Sequence, residues 1–524
     1  MTLLLLMARR HRLPILCWVA LLIALSGPTL PAYRSTYATV ADRRIAVALA
    51  QHDAATTLMY GRLPDPGTPA LMFAWEIGAI VTVLAAVAAV LLATMLTRAA
   101  EDNGTLELVR ACGVPPHFPV RDALVLLAAV ASVLTAGCTA AAVVSGAHVE
   151  GADLTGALSF GAVIGITFLL FGVLTVGLAQ VAATAGQTRL LGFLAVGAAF
   201  AVRAMADTRD LAWLNGFTPL GLRATTQPFG ADRWIPPVVA LTVTAALAVA
   251  AAATAAHREY GAGILPRRDT STRRLPVRTV AALSARLTRT SLIAWTAAVT
   301  AISGLFCAMG AGAVTQPDLG GFLGAQVGAG DRVAGYLSYC GTVTGIIVSV
   351  FGILAMLTAG HDERTGLTAL VLTTGRRRWA PLGAQAAVTA AGGAIVLLAA
   401  AALSAVIAPV VIDGPDVTVR TLGYLLGQWP AVVALIGITT LLLGLRPSWA
   451  GLAWLPLTAG ALFALLGDLF DIPGAVQRLG VFRHVPDVAA ADGVPLGLIA
   501  LLAVGAATCL LGLLAARRRD LVAG

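Results

Sequence analysis

Carboxylates recur at two places where this chain leaves an apolar run. Glu101 and Asp102 open the stretch EDNGTLELVRACG at 101–113, and Asp362 and Glu363 open its sister, DERTGLTALVLTTG, at 362–375. Paired acids can do acid–base or metal chemistry, but only beside partners at the right spacing. The six cysteines (Cys17, Cys112, Cys138, Cys307, Cys340, Cys509) are scattered, mostly inside apolar runs, without a C-x-x-C pair. That pattern reads as buried, inert thiols rather than a metal site or disulfide framework. The seven histidines are dispersed, and no H-E-x-x-H, G-x-S-x-G or D-x-D pattern occurs. All 35 basic residues are arginine. Without lysine there is no P-loop lysine for nucleotide phosphates and no Schiff base. The chain therefore reads as a non-enzyme that binds no metal or cofactor itself and does not hydrolyse ATP alone.

The elements that carry these stretches read as membrane spans. Of 524 residues, 58% are hydrophobic and 12% charged, against about 25% charged in ordinary globular domains. Twelve apolar runs are expected to cross, near 13–31, 71–96, 123–145, 154–181, 190–206, 234–256, 291–310, 336–357, 382–410, 420–445, 449–467 and 494–515. They exceed barrel strands in length and lack their alternation, which gives an all-α polytopic membrane protein. With a cytoplasmic N-terminus, 23 of the 35 arginines fall inside. This arginine bias places both termini in the cytoplasm. ARRHR before the first run could open a signal peptide, but the run passes Pro28 with no A-x-A site, favouring a retained span.

The two polar stretches align at one offset. Glu101 matches Glu363, Gly104 matches Gly366, Leu108 and Val109 match Leu370 and Val371, and Gly113 matches Gly375. LCWVA at 16–20 and IAWTA at 293–297 open corresponding runs, and HREY at 257–260 and RRRD at 517–520 close corresponding halves. Two parallel six-span repeats follow as the expectation: 1–262, a cytoplasmic linker with an elbow helix at 263–290, and 291–524. Each polar stretch reads as a short amphipathic helix. Its acids start it, where the helix dipole favours negative charge, and Gly113 or Gly375 ends it. A helix merely lying in the headgroups is the competing reading.

Five further motifs carry a resemblance. TRAAEDNGTLELVRACGVPPH, RAMADTRDLAWLNGFTPLGLRATTQPFGADRWIP, HREYGAGILPRR, TRTSLIAW and VFRHVPDV with AARRRDL resemble ABC-type export permeases. The branch resembled is the actinobacterial one described as exporters of polyketide antibiotics, and the likeness runs end to end. It implies that each polar stretch is a coupling helix docked in a groove on a separate ATPase subunit. Glu101, Asp102, Gly104, Leu108, Val109, Gly113, Glu363, Gly366, Leu370, Val371 and Gly375 would form those contacts. One chain would then engage two ATPase copies, with ATP and Mg bound on the partner, and move hydrophobic or amphipathic drug-like compounds outward across a bacterial plasma membrane. His361 and Arg364 depart from the family's acidic cluster, so the two contacts are not expected to be equivalent. The resemblance also implies partly re-entrant external segments at 206–233 and 467–493, and an elbow helix at 277–287.

Two embedded charges are candidates for the substrate pathway. Glu76 lies over a turn inside the second run, where a pathway carboxylate competes with a snorkelling one. Arg203 pairs with an acid such as Asp207 or lines the exit, and the pair is favoured. GAVIG at 161–165 has the G-x-x-x-G spacing of close helix packing. Eight arginines between Arg258 and Arg289 fit anionic lipid; without interleaved aromatics they do not suggest nucleic acid. A proton-coupled transporter of six plus six spans is the alternative function, weakened by the absence of a chain of buried acids. A membrane-embedded enzyme lacks any metal or acid–base cluster.

Overall fold

The computed structural model describes residues 3–258, 277–310, 331–466 and 496–520, apart from 28, 37–38, 53, 65–66 and 116–117, plus isolated positions between those blocks. All regular structure among them is helical, and eleven helices are long and apolar enough to cross a membrane. The chain divides into two compact units, Met1–Arg273 and Arg274–Gly524.

The first unit begins with α1 (Leu3–Arg10), α2 (Arg12–Leu25), α3 (Leu30–Thr36), α4 (Val40–His52) and α5 (Ala54–Tyr60). Then come α6 (Pro69–Leu96), α7 (Arg98–Asp102), α8 (Thr105–Ala111), α9 (Phe118–Gly146), α10 (Leu154–Val181), α11 (Ala185–Thr208), α12 (Leu222–Thr226) and α13 (Ile235–His257). Side-chain caps fix where the long helices start. Thr68 accepts from Leu71 N ahead of Pro69, Asp153 from Gly156 N, and Thr184 from Gln187 N. The central helix α10 packs on α6, α9, α11 and α13. Phe73, Phe160, Phe168, Phe171, Leu127 and Leu134 are buried between them. Lipid tails are as apolar as leucine, so close packing rather than water exclusion holds such helices together. GAVIG supplies it: a Cβ on Gly161 would lie 2.5 Å from Thr135 O, and one on Gly165 2.8 Å from Ala131 O.

One expected span departs from its sequence reading. The run at 13–31 forms α2, 14 residues that end where Ser26 N–H caps Ile23 O, and then only the first residues of α3. At 1.5 Å per residue α2 is about 21 Å long, short of the roughly 30 Å hydrocarbon core. The apolar run contains a helix stop, because Ser26 Oγ turns back onto Leu22 O and Gly27 follows. The stretch 206–233 forms tight 3₁₀ turns at Ala212–Phe217 and Pro219–Gly221 before α12. Trp213 and Phe217 are 64% and 79% exposed, while Arg223 is buried.

The second unit contains α14 (Val280–Ala308), α15 (Arg332–Arg364), α16 (Leu367–Leu372), α17 (Ala380–Val411), α18 (Val417–Leu426), α19 (Trp429–Leu445), α20 (Trp454–Leu466) and α21 (Leu496–Arg518). The expected elbow is not a separate helix. Thr279 caps one continuous α14, its side chain accepting from Ala282 N, and nothing breaks the helix before Ala308. α18 and α19 form one candidate span, Val417–Leu445, interrupted at Gly427 and Gln428 ahead of Pro430. Most of 467–493 and of the linker lie outside the described residues. α19 and α21 meet along glycines: a Cβ on Gly437 would lie 2.3 Å from Gly505 O.

Candidate functional site

Both polar stretches fold into the same short element. In the first unit the helix bends at Thr97, continues through α7, and turns at Gly104 (φ +69°) into α8, which ends at Gly113 (φ +81°). In the second, α15 runs to Arg364, turns at Gly366 (φ +79°) into α16, and ends at Gly375 (φ +78°). All four glycines are left-handed, a conformation that costs other L-residues roughly 1–2 kcal/mol. The acids therefore do not start the short helix. Glu101 and Asp102 close the helix before it, and Glu363 lies in the last turn of α15. The dipole there disfavours negative charge. The expected boundary was displaced because Gly104 and Gly366, read as interior residues, are the true starts.

Each short helix presents leucine outward. Leu108 is 73% exposed, Leu367 51% and Leu370 66%, with Val109 and Val371 half-buried beside them. α8 carries Glu107 and Arg110, whereas α16, LTALVL, has no charge. Arg10 Nη1 donates to Thr105 Oγ1 at 3.1 Å, and Arg376 Nη2 to Arg278 O at 3.2 Å. The opening helix of the first unit is thus tied to α8, and in the second unit the segment after Gly375 is tied to the segment just before α14.

Arginines answer the misplaced acids. Glu101 Oε2 accepts from Arg98 Nη1 at 2.8 Å and from Arg258 Nη2 at 2.7 Å. Arg98 Nη2 also donates to Ala183 O at 2.7 Å, and Asp102 Oδ2 accepts from Ala185 N at 2.7 Å. Asp102 thereby sits at a helix N-terminus after all, that of α11. In the second unit Arg519 grips both oxygens of Glu363 at 2.5 and 2.6 Å. Its Nε donates to Gly444 O at 2.9 Å. Sequence reading marked HREY and RRRD as closing segments but missed these partners. An acid in the last turn of a helix is the signal that would have called for a cation.

The two embedded candidates lie at the other end of the first unit. Glu76 Oε2 accepts from Tyr33 Oη at 2.6 Å, and Tyr33 meets Phe73 edge-on with ring centroids 5.9 Å apart. Arg203 ion-pairs with Asp207 at 3.8 Å, both buried, and its Nη2 donates to Leu58 O at 2.5 Å and Met59 O at 2.8 Å. Arg223 donates to Tyr60 O, and Trp75 Nε1 to Gly61 O at 2.7 Å. The last carbonyls of α5, orphans of any helix end, are thus capped by two guanidinium groups. Burial first, then Arg203 alongside, push the Arg223 guanidinium down to about 9, with Asp207 opposing. Among the described residues no group of three or more His, Cys, Asp or Glu could hold a metal ion.

Comparison with known proteins supplies the family. Residues 277–517 match the family described as multidrug efflux system permease Rv1217c, C-terminal domain. Over 530 aligned residues the chain is 30% identical to the multidrug efflux system permease protein Rv1217c of Mycobacterium tuberculosis. The alignment covers 98% of this chain and 93% of that relative. A polytopic helical chain without a metal cluster among its described residues, matched end to end by such a protein, belongs to the multidrug efflux permease family.

Proposed function

We propose that this chain is the membrane subunit of an ATP-driven exporter, and that α8 and α16 are its handles for a separate ATPase. The observation that carries the reading is the matched construction of the two elements. Each is a helix of six or seven residues, set off by left-handed glycines and exposing leucines, and each sits at the end of a helix long enough to span. A helix lying in headgroups needs no such pair of fixed turns. The chain would act as a pseudo-dimer of two six-span halves, α2 completing the first, with cytoplasmic termini and two ATPase copies that bind ATP and Mg. Its substrates would be hydrophobic or amphipathic compounds, polyketide-like antibiotics among them. Glu76, hydrogen-bonded yet half-buried, is the stronger pathway candidate; Arg203 is engaged with α5. Glu76 is far along α6 from Glu101, which gives no support to the proton relay of a secondary transporter.

The test is Leu108→Asp together with Leu370→Asp. A charge set against an apolar groove costs about 1–3 kcal/mol, so ATPase binding should weaken roughly tenfold or more per handle. ATP hydrolysis stimulated by the permease should fall, while membrane insertion stays normal. A double variant that stimulates hydrolysis and exports like the parent would overturn the assignment. The parent complex should weigh one permease chain plus two ATPases.

A further inference from the structure

In each unit an acid, its arginines and a backbone carbonyl join three elements beside the short helix. In the first, Glu101 ends the extension of α6, Arg258 caps α13, and Arg98 carries the link to Ala183 O just past α10. In the second, Glu363 ends α15, and Arg519, one residue past α21, reaches Gly444 O and Leu443 O at the end of α19. Different residues thus tie the same parts: the helix before the short element, the helix two long spans further on, and the helix that closes the unit. The side chains are well covered, Glu101 5% and Glu363 11% exposed, Arg258 19% and Arg519 18%.

We propose that these clusters are latches that make each short helix and its two neighbouring spans move as one body, with Arg258 and Arg519 as positioning residues. The proposal rests on the reading of α8 and α16 as ATPase handles. The energetics favour geometry over stability as the purpose. Covered ion pairs add little net stability, since desolvation offsets attraction. Arg519 nonetheless uses a bidentate fork on Glu363 and spends its Nε on a carbonyl, an arrangement only a guanidinium can make. An arginine present merely to neutralise Glu363 would need none of this. The acid gains nothing from its own helix end, so it is placed for the arginine.

Arg519→Lys separates the two purposes, because lysine keeps the charge and loses the fork. The full-length chain in lipid nanodiscs is examined by hydrogen exchange at Leu367–Leu372 and at Leu496–Arg518. The latch gives faster exchange in both segments, about tenfold, the effect of losing one charge-assisted hydrogen bond. Neutralisation alone gives parental exchange, and a change confined to the closing helix likewise overturns the latch. Glu363→Gln, which keeps the side-chain shape, must reproduce the coupled response if Arg519→Lys fails to fold. With ATPase added, Arg519→Lys should still bind it but lose most of the export per ATP hydrolysed. Parental export per ATP would sink the latch. An ATPase that fails to bind even the parent would sink the handle reading instead, leaving the exchange result to judge the latch.

Discussion

Asp207 ion-pairs with the buried Arg203 and its charge also acts on the buried Arg223, and that position sets its worth. Arg203 and Arg223 are 3% and 7% exposed, and Asp207 is 6% exposed. Asp207→Asn would leave both cations without the carboxylate, a loss of about 3–5 kcal/mol for a covered pair. Asp210→Asn removes a partner of Arg62 whose side chains are 55% and 72% exposed, worth about 1 kcal/mol or less. Thermal melts in detergent should therefore show a clear drop for Asp207→Asn and almost none for Asp210→Asn. Equal melts would mean that the α5 carbonyls alone hold the guanidinium groups. The sequence made the Arg203–Asp207 pair legible because four residues is one helical turn. Arg223 and Tyr33 were not legible, since both reach their partners from short helices, α12 and α3, whose paths no periodicity reports.

Glycine positions decide packing at the element scale, and their neighbours tell which ones matter. A Cβ on Gly437 would meet Gly505 O at 2.3 Å, backbone that cannot step aside, whereas one on Gly177 in α10 meets nothing within 4 Å. Gly437→Ala should force α19 from α21 at a cost of about 1–3 kcal/mol. Gly177→Ala should be neutral or stabilising by about 0.4–1 kcal/mol, since it only restricts the unfolded chain. Melting temperatures that move in opposite directions would bear this out; a harmless Gly437→Ala would refute it. Most long helices were legible because apolar length reports a span whatever its neighbours do. GAVIG was legible as spacing, yet only the facing Thr135 and Thr139 show it to be a contact. The start of α8 was misread because Gly104 looks like a helix interior until its φ is known. The candidate site was legible as a repeated pattern, and its arginines were not, because Arg258 and Arg519 lie 157 and 156 residues from their acids.

For the whole molecule, the 14-residue apolar helix α2 carries a consequence of its own. α2 begins beside Arg9, Arg10 and Arg12 and ends at Leu25. Arginines prefer the headgroup level, which fixes one end of α2 and leaves its other end several ångströms short of the far interface. Leu22 is fully buried and Ile23 packs at Gly137, so α2 cannot tilt freely or slide to make up the length. If α2 completes the first six-span half as proposed, the bilayer is expected to yield instead, by thinning around the first unit. Transport in proteoliposomes should then fall as acyl chains lengthen from about fourteen to twenty carbons, at a fraction of a kcal/mol per ångström of mismatch. Flat activity across that series would show that α2 imposes no such strain. Where transport does fall along the series, bilayer thickness, and with it the lipid composition a cell maintains, would be a physical setting on efflux that acts without any ligand.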